Sequence, residues 1–260
     1  MDLPKSLFPW LQEPGEGLLH ELIQLLTNLT RLAAAMDKAN TLNRQACQSL
    51  LDEFLQLEQQ KKAFYAKFNG RPGDPPVFAS GELKSQIPDT CELFGPAYKF
   101  RSVDEANLYI LLWTTLSYVY PLVHQLQFLA MADVPECLRI PGHSPKEAAH
   151  RLTEFYTSRA VRCLPYCAQE GMNSWAMMAG MIALTQSSRV FSHLRDWERF
   201  SWTQDVVQYC ALLGFDRASQ LREVWWNYWL TTEEKGDLSR LPHHKELAKK
   251  YQSSSPSSDG

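Results

Sequence analysis

Helical periodicity dominates this 260-residue sequence. In the clearest case, apolar side chains follow one another at alternating steps of four and three residues: Leu18, Leu22, Leu25, Leu29, Leu32 and Met36. This spacing places them all on one face of an α-helix, because a helix turns once in 3.6 residues. No segment shows the sustained alternation of apolar and polar residues that is typical of a half-buried strand. The sequence therefore predicts an all-α protein.

A second helix is predicted from about Asn43 to Phe68. Its apolar side chains lie on one side, and Lys61 interrupts their stripe. The short connection near residues 37–41 favours an antiparallel hairpin of the two helices. Coiled-coil association of the first helix is the alternative, and its heptads are near the minimum length for that assignment. Because Lys61 breaks the second stripe, we expect part of the leucine face to stay uncovered and available for association or docking.

The next segment is irregular, and a long uncharged helix follows it. Five prolines and four glycines between residues 70 and 101 predict a long irregular loop, with one short helix near residues 80–85.

Ser102 and Glu105 then form a capping box that starts a helix. Residues 106–132 carry no formal charge and are long enough to span a bilayer. Threonine, glutamine and histidine interrupt this stretch and no basic cluster flanks it, so we expect a buried central helix and no membrane contact.

Further start and stop signals predict the C-terminal helices. Ser144, Pro145 and Glu147 begin a helix that runs to about residue 170, with a kink or break at Pro165. Two more helices are predicted at 174–191 and 195–213, and Gly214 is a suitable left-handed cap for the second of them. Asp216 begins the last helix, which ends in the aromatic run VWWNYWL.

These elements give a simple domain organisation. We expect an N-terminal extension at residues 1–14, a single multi-helix domain of regulatory type at 15–251 and a disordered tail at 252–260. The last eight residues of this tail read SSSPSSDG, a composition typical of disordered ends.

Composition and charge exclude several classes of protein. The chain is 45% hydrophobic, and 26 basic against 29 acidic residues give a net charge of -3. A disordered chain would be less apolar, and a non-specific nucleic-acid binder would carry an excess of Lys and Arg. The six cysteines are dispersed, and the N-terminus lacks the basic start and apolar run of a secretory signal. We therefore expect a reduced, intracellular environment.

No established catalytic motif is present. The chain has no phosphate-binding glycine loop, no nucleophile elbow and no HExxH zinc motif. Glu147 and His150 form one Glu-x-x-His step, but a di-iron site needs two such steps and further carboxylates. Cys163 and Cys167 lie one turn apart, although zinc would need two more ligands, so buried free thiols are favoured. The sequence thus predicts no catalytic, cofactor-binding or metal-binding residue, and His124 and His193 are expected to be satisfied or surface histidines.

Aromatic residues crowd the C-terminal helix. Trp225, Trp226, Tyr228 and Trp229 lie there, and two further tryptophans precede them in the chain. At helical spacing, Trp225 and Trp229 share a face, and Trp226 is expected to turn away from it. The cluster could line an apolar ligand pocket. The favoured interpretation is a core helix that anchors the C-terminal end of the domain.

Four segments, in their order along the chain, carry a family resemblance: FRSVDEANLYILLWTTLSYVYPLV, SRAVRCLPYCAQEGM, WAMMAGMIALTQSSRVF and SWTQDVVQYCALLGFDRASQLREVWW. They resemble the regulatory region that follows the DNA-binding module in fungal zinc-cluster transcription regulators. The matching features are Arg162 with Tyr166, the small-residue helix at 175–184, and Trp202 before the break at Gly214 and Phe215. The resemblance covers about residues 15–230.

The resemblance implies an all-helical domain, a nuclear setting and control of transcription, often of gene clusters for metabolite production. It carries no catalytic residues. The closely spaced cysteines of a zinc cluster are absent, so we expect no direct DNA binding by this chain and no zinc. We therefore expect a transcription-associated regulatory domain that acts through a protein partner, self-association or a small apolar effector. Its expected location is the nucleus by resemblance, and otherwise the cytoplasm.

The alternative is a small all-helical enzyme of a metabolic gene cluster, with its chemistry in the aromatic C-terminal pocket. General acid–base catalysis would need placed His, Asp or Glu side chains in apolar surroundings. The apolar stretches offer His124 and His193 and little else. The regulatory interpretation is favoured for this reason.

Overall fold

The computed structural model describes residues 16–36, 43–69, 75–79, 82–170, 172 and 174–231. No β-strand occurs among these residues, and the only pairing outside helices is two isolated bridges, Val77 with Tyr98 and Ser85 with Gln169. The all-α class is confirmed for this part of the chain. The predicted N-terminal extension and C-terminal tail lie outside the described residues.

The α-helices follow one another as α1 (Glu16–Met36), α2 (Arg44–Asn69), α3 (Cys91–Phe94), α4 (Val103–Ala130), α5 (Pro145–Val161), α6 (Leu164–Cys167), α7 (Met178–Leu194), α8 (Trp197–Leu212) and α9 (Asp216–Thr231). Two short 3₁₀ helices lie at Glu136–Leu138 and Ser174–Met177. The chain divides into two compact units, which we call the hairpin unit (residues 1–75 and 118–149) and the main unit (76–117 and 150–260).

In the hairpin unit, α1 packs against α2. Leu25, Leu32 and Met36 of the α1 leucine face are buried, and Arg31 forms an ion pair with Glu53 at 2.6 Å. Asn43 caps α2 by accepting a hydrogen bond from the Ala46 amide, so the predicted start of this helix is confirmed.

Lys61 has a different environment from the one that the sequence predicts. Its side chain is 0% exposed, so it lies within the buried stripe of α2 and does not interrupt it. A lysine can do this because its four methylene groups pack as an apolar side chain. The expectation that Lys61 interrupts the stripe of α2 is therefore wrong. Along the α1 leucine face, Leu29 is half-buried, and the side chains of Leu18 and Leu22 lie outside the described part of the chain.

Helix α4 contains most of the long uncharged stretch, and its charged residues, Asp104 and Glu105, lie in its first turn. Its length and composition would allow it to cross a bilayer, but 72% of its most apolar window is buried inside the protein, as is typical of a core helix. Ser102 caps its start by accepting from the Glu105 amide at 3.1 Å. The capping box is only half formed, because the Glu105 carboxylate accepts from the Arg101 amide.

In the main unit, the break at Pro165 occurs as predicted. The helix that begins at Pro145 ends at Val161, and Pro165 lies in the first turn of the separate helix α6. The predicted helix at 174–191 begins as the 3₁₀ turn and continues as α7. Gly214 follows α8 with a φ of +90°, a left-handed conformation in which glycine carries no Cβ penalty.

Side chains of Arg162 and of α8 hold described parts of the irregular segment 76–101. The Arg162 Nε donates to the Pro96 carbonyl at 2.8 Å, the Arg199 Nε to the Leu93 carbonyl at 3.1 Å and the Trp202 indole to the Asp89 carbonyl at 3.0 Å. These bonds satisfy backbone groups that no helix or sheet ladder satisfies. The short helix of this segment is α3, at Cys91–Phe94, and residues 82–85 form no helix, so its predicted place is wrong.

Candidate binding cleft

A cleft of about 570 Å³ lies in the hairpin unit. One wall is α2 and the other is the segment that follows α4. The lining residues are Arg44, Gln48, Leu51, Leu55, Met131, Ala132, Asp133, Val134, Pro135, Glu136 and Arg139. We call this site the α2 cleft.

The α2 wall arises from helical spacing alone. Arg44, Gln48, Leu51 and Leu55 follow one another at steps of four, three and four residues, which places them on one face of the helix. Leu51 is buried and Leu55 is half-buried. The wall is therefore polar near the start of α2 and apolar one turn further on.

The opposite wall is fixed by hydrogen bonds to its backbone. The Arg44 guanidinium donates to the Ala130 carbonyl at 2.7 Å and to the Met131 carbonyl at 3.3 Å. These carbonyls belong to the end of α4, where helical partners are missing and a cation also complements the helix dipole. Arg139 donates through Nε to the Val134 carbonyl at 2.9 Å. The turn out of α4 is tight, since Met131 has a φ of +49°.

Charges of both signs surround the apolar part of the cleft. Arg44, Arg139, Asp133 and Glu136 are all exposed. Asp133 and Glu136 have no ion-pair partner among the residues that the structure describes. Two cations and two anions therefore lie around one set of apolar side chains, an arrangement that orients a charged or amphipathic ligand.

The same face of α2 continues into a buried polar cluster. Glu58 is 3% exposed, accepts a hydrogen bond from the Tyr120 hydroxyl at 3.1 Å and pairs with Lys62 at 2.6 Å. Burial, together with the negative charge of Glu58, raises the pKa of the Cys137 thiol to about 11. This thiol is therefore protonated at neutral pH and is a poor nucleophile.

Lys61, next to this cluster in sequence, is a group that sequence analysis missed. Its Nζ has no hydrogen-bond partner among the described residues, and burial lowers its pKa well below the usual value for lysine. The only sequence signal is a lysine at a position where the helical period predicts an apolar residue. An isolated buried amine of this kind opposes folding unless it loses its proton.

The candidate residues Glu147 and His193 form hydrogen bonds within the protein. Glu147 accepts from the Ser144 amide at 2.8 Å, and its own amide donates to the Ser144 hydroxyl at 3.3 Å, so the predicted capping box is confirmed. His193 is buried and pairs through Nδ1 with the Tyr228 hydroxyl at 2.9 Å. Among the described residues, no group of three His, Cys, Asp or Glu side chains could hold a metal ion.

Cys163 and Cys167 are both buried and free. Burial raises the pKa of Cys167 to about 12 and that of Cys163 well above its usual value. The thiolate that a metal or a nucleophilic reaction needs is therefore disfavoured at both positions.

The rings of the aromatic cluster in the main unit contact one another. Trp226 and Trp229 both stack on Phe200, at ring distances of 5.8 and 4.7 Å, and Trp197 contacts both of them. The expectation that Trp226 turns away from Trp229 is wrong, because residues three apart are also neighbours on a helix surface. Trp225 is instead buried and contacts Tyr228. The contacts of Trp197 and Phe200 with Trp226 and Trp229 join α8 to α9.

The two walls of the α2 cleft come from segments about 80 residues apart, so no local motif marks the cleft in the sequence. Comparison of the chain with protein-family models, with curated proteins and with solved structures found no match.

Proposed function

We propose that this chain is a regulatory-type binding domain that acts by engaging a partner through the α2 cleft. The transcriptional role and the nuclear location that the family resemblance implies are part of the proposal. The observation that carries it is the combination in one open cleft of half-buried leucine, exposed charges of both signs and a wall held by backbone hydrogen bonds.

The dimensions and chemistry of the cleft suit binding. Its volume is within the range of about 300–1,000 Å³ that is common for ligand sites. Burial of Leu55 and Val134 would supply affinity, and Arg139, Asp133 and Glu136 would supply orientation and specificity. Because the charges are of both signs, a polypeptide segment fits the cleft better than a small apolar effector does.

The ionisable groups near the cleft favour recognition over catalysis. Glu58 is already engaged by Tyr120 and Lys62, and the Cys137 thiol is protonated at neutral pH. General acid–base catalysis is most efficient when a group has a pKa near the working pH and lies within reach of a substrate. The exposed carboxylates of the rim can serve electrostatic complementarity to a charged partner.

A reporter experiment tests the proposal. The full chain is fused to a heterologous DNA-binding module upstream of a reporter gene, and Leu55→Asp is compared with Gln56→Asp. Leu55 lines the cleft, whereas Gln56 is its exposed neighbour on the same helix. We expect the intact fusion and Gln56→Asp to change reporter output several-fold, and Leu55→Asp to lose most of that change, because a carboxylate buried against a partner without a hydrogen bond is costly.

Circular dichroism shows whether both variants remain folded. A fusion with no effect on the reporter would contradict the regulatory role. Equal output from the two folded variants would contradict the role of the cleft.

A further inference from the structure

Two large apolar side chains protrude beside the α2 cleft. Phe128 is 72% exposed and Met131 is 76% exposed, and the two are three residues apart at the end of α4. Met131 directly follows the last residue of α4 and lines the cleft, so Phe128 lies within one helical turn of a lining residue. An exposed aromatic side chain therefore lies near a cleft whose lining includes Leu51, Leu55 and Val134 beside its charged residues.

The charges of this surface complement a copy of itself. Arg139 is six residues from Asp133 and three from Glu136, and all three are exposed around the cleft. In a two-fold interface every contact between the copies occurs twice. Arg139 of the first copy can therefore face the carboxylates of the second, and Arg139 of the second copy can face those of the first. A surface with charges of one sign would repel its own copy.

Part of the competing interface that the sequence suggests, the α1 leucine face, is already covered within the chain. Leu25, Leu32 and Met36 of the α1 leucine face are buried in the hairpin unit. They are therefore not available for a coiled coil between copies unless the hairpin opens. Phe128 and Met131 remain the large exposed apolar residues of the described part of this unit.

We propose that the α2 cleft binds a second copy of this chain in a two-fold dimer, with Phe128 of each copy in the cleft of the other. The cleft can hold a drug-sized ligand by volume, so an aromatic side chain fits within it. Aromatic anchors that fill a partner's pocket contribute most of the binding energy in many interfaces. This inference rests on the proposed function, since it names the partner of the same cleft.

Light scattering and sedimentation of the full chain over a wide range of concentrations test the dimer. The variant is Phe128→Glu, and its matched control is Leu230→Glu, which changes an exposed residue of α9 in the main unit. We expect a dimer for the wild-type chain and for the control. Loss of a buried anchor costs at least about 2 kcal/mol, so Phe128→Glu is expected to raise the dissociation constant at least about thirtyfold.

A charge exchange tests the geometry. The double variant Asp133→Arg with Glu136→Arg, and the single variant Arg139→Glu, are each expected to be monomeric because like charges face one another in their homodimers. A mixture of the two is expected to form a heterodimer, because both sets of opposite charges are then restored.

A monomeric wild-type chain at every concentration would overturn the inference, and so would a dimer that Phe128→Glu leaves unchanged. If the wild-type chain is monomeric but Leu55→Asp and Gln56→Asp still differ in the reporter assay, the dimer is overturned and the proposed function stands. If the chain is dimeric but the two variants do not differ in the reporter assay, the proposed function alone is overturned.

Discussion

The substitution Lys61→Met is expected to stabilise the hairpin unit by roughly 1–3 kcal/mol at neutral pH, the usual cost of burying a polar group without a hydrogen bond. Lys61 is 0% exposed, and its Nζ has no partner among the described residues. Methionine has a similar length and flexibility and can fill the same space without a polar atom that needs solvation. The expected gain is the cost of burying the amine.

The pH dependence of this gain has a definite sign. Burial lowers the pKa of folded Lys61, so the unfolded chain binds more protons than the folded chain at every pH between the folded pKa and about 10.5. The wild-type free energy of unfolding therefore rises with pH across that window because of Lys61. The methionine side chain of the variant does not titrate, so the gain from Lys61→Met is largest at neutral pH and shrinks as the pH approaches about 10.5.

Gln60→Met is the matched control, because Gln60 is the exposed neighbour of Lys61 on α2. Hydrogen exchange of α2 peptides, together with denaturation followed by circular dichroism, measures the stability of this unit. We expect slower exchange for Lys61→Met and little change for the control. Equal stability of Lys61→Met and the wild type at both neutral and alkaline pH would contradict the buried position of the amine.

The substitution Arg162→Met is expected to destabilise the main unit by about 3 kcal/mol, since a charged donor typically contributes about 1.5–3 kcal/mol per hydrogen bond and these bonds share one side chain. Arg162 donates to the Pro96 carbonyl and to the Tyr98 hydroxyl, both at 2.8 Å, and its guanidinium lies 3.9 Å from the centre of the Tyr98 ring. Without Arg162, the Pro96 carbonyl loses this hydrogen-bond donor.

Arg162→Lys is expected to recover only a minor part of this loss. An ammonium group has no planar fork to donate to two acceptors while it stacks on a ring. Arg217→Met is the control, because Arg217 is exposed at the start of α9. Tryptophan fluorescence follows the main unit, which contains seven of the eight tryptophans. A denaturation midpoint for Arg162→Met equal to that of Arg217→Met would show that Arg162 does not hold the segment.

Features that depend on a few neighbouring residues could be predicted from the sequence. The start of α2 near Asn43, the capping box of Ser144 with Glu147, the break at Pro165 and the left-handed Gly214 all occur where expected. Each of these signals acts through hydrogen bonds or backbone geometry within about four residues. The all-α class follows from the same local periodicity.

Features that depend on distant residues could not be predicted in this way. Arg162 and Pro96 are 66 residues apart, and nothing in either local sequence names the other as its partner. The α2 cleft needs two segments that only the folded chain brings together. The burial of Lys61 could not be predicted either. Its spacing favours a buried position, but lysine is rarely buried without a partner, so the residue type favours an exposed side chain.

Site-specific photo-crosslinking in cells tests most directly whether binding occurs at the α2 cleft. A photoreactive phenylalanine analogue is introduced at Met131, which lines the cleft, or at Trp197, which is 49% exposed in the aromatic cluster of the main unit. The account predicts a discrete crosslinked product from position 131 and little or none from position 197. A discrete product from position 197 with none from position 131 would contradict it and would assign binding to the aromatic cluster.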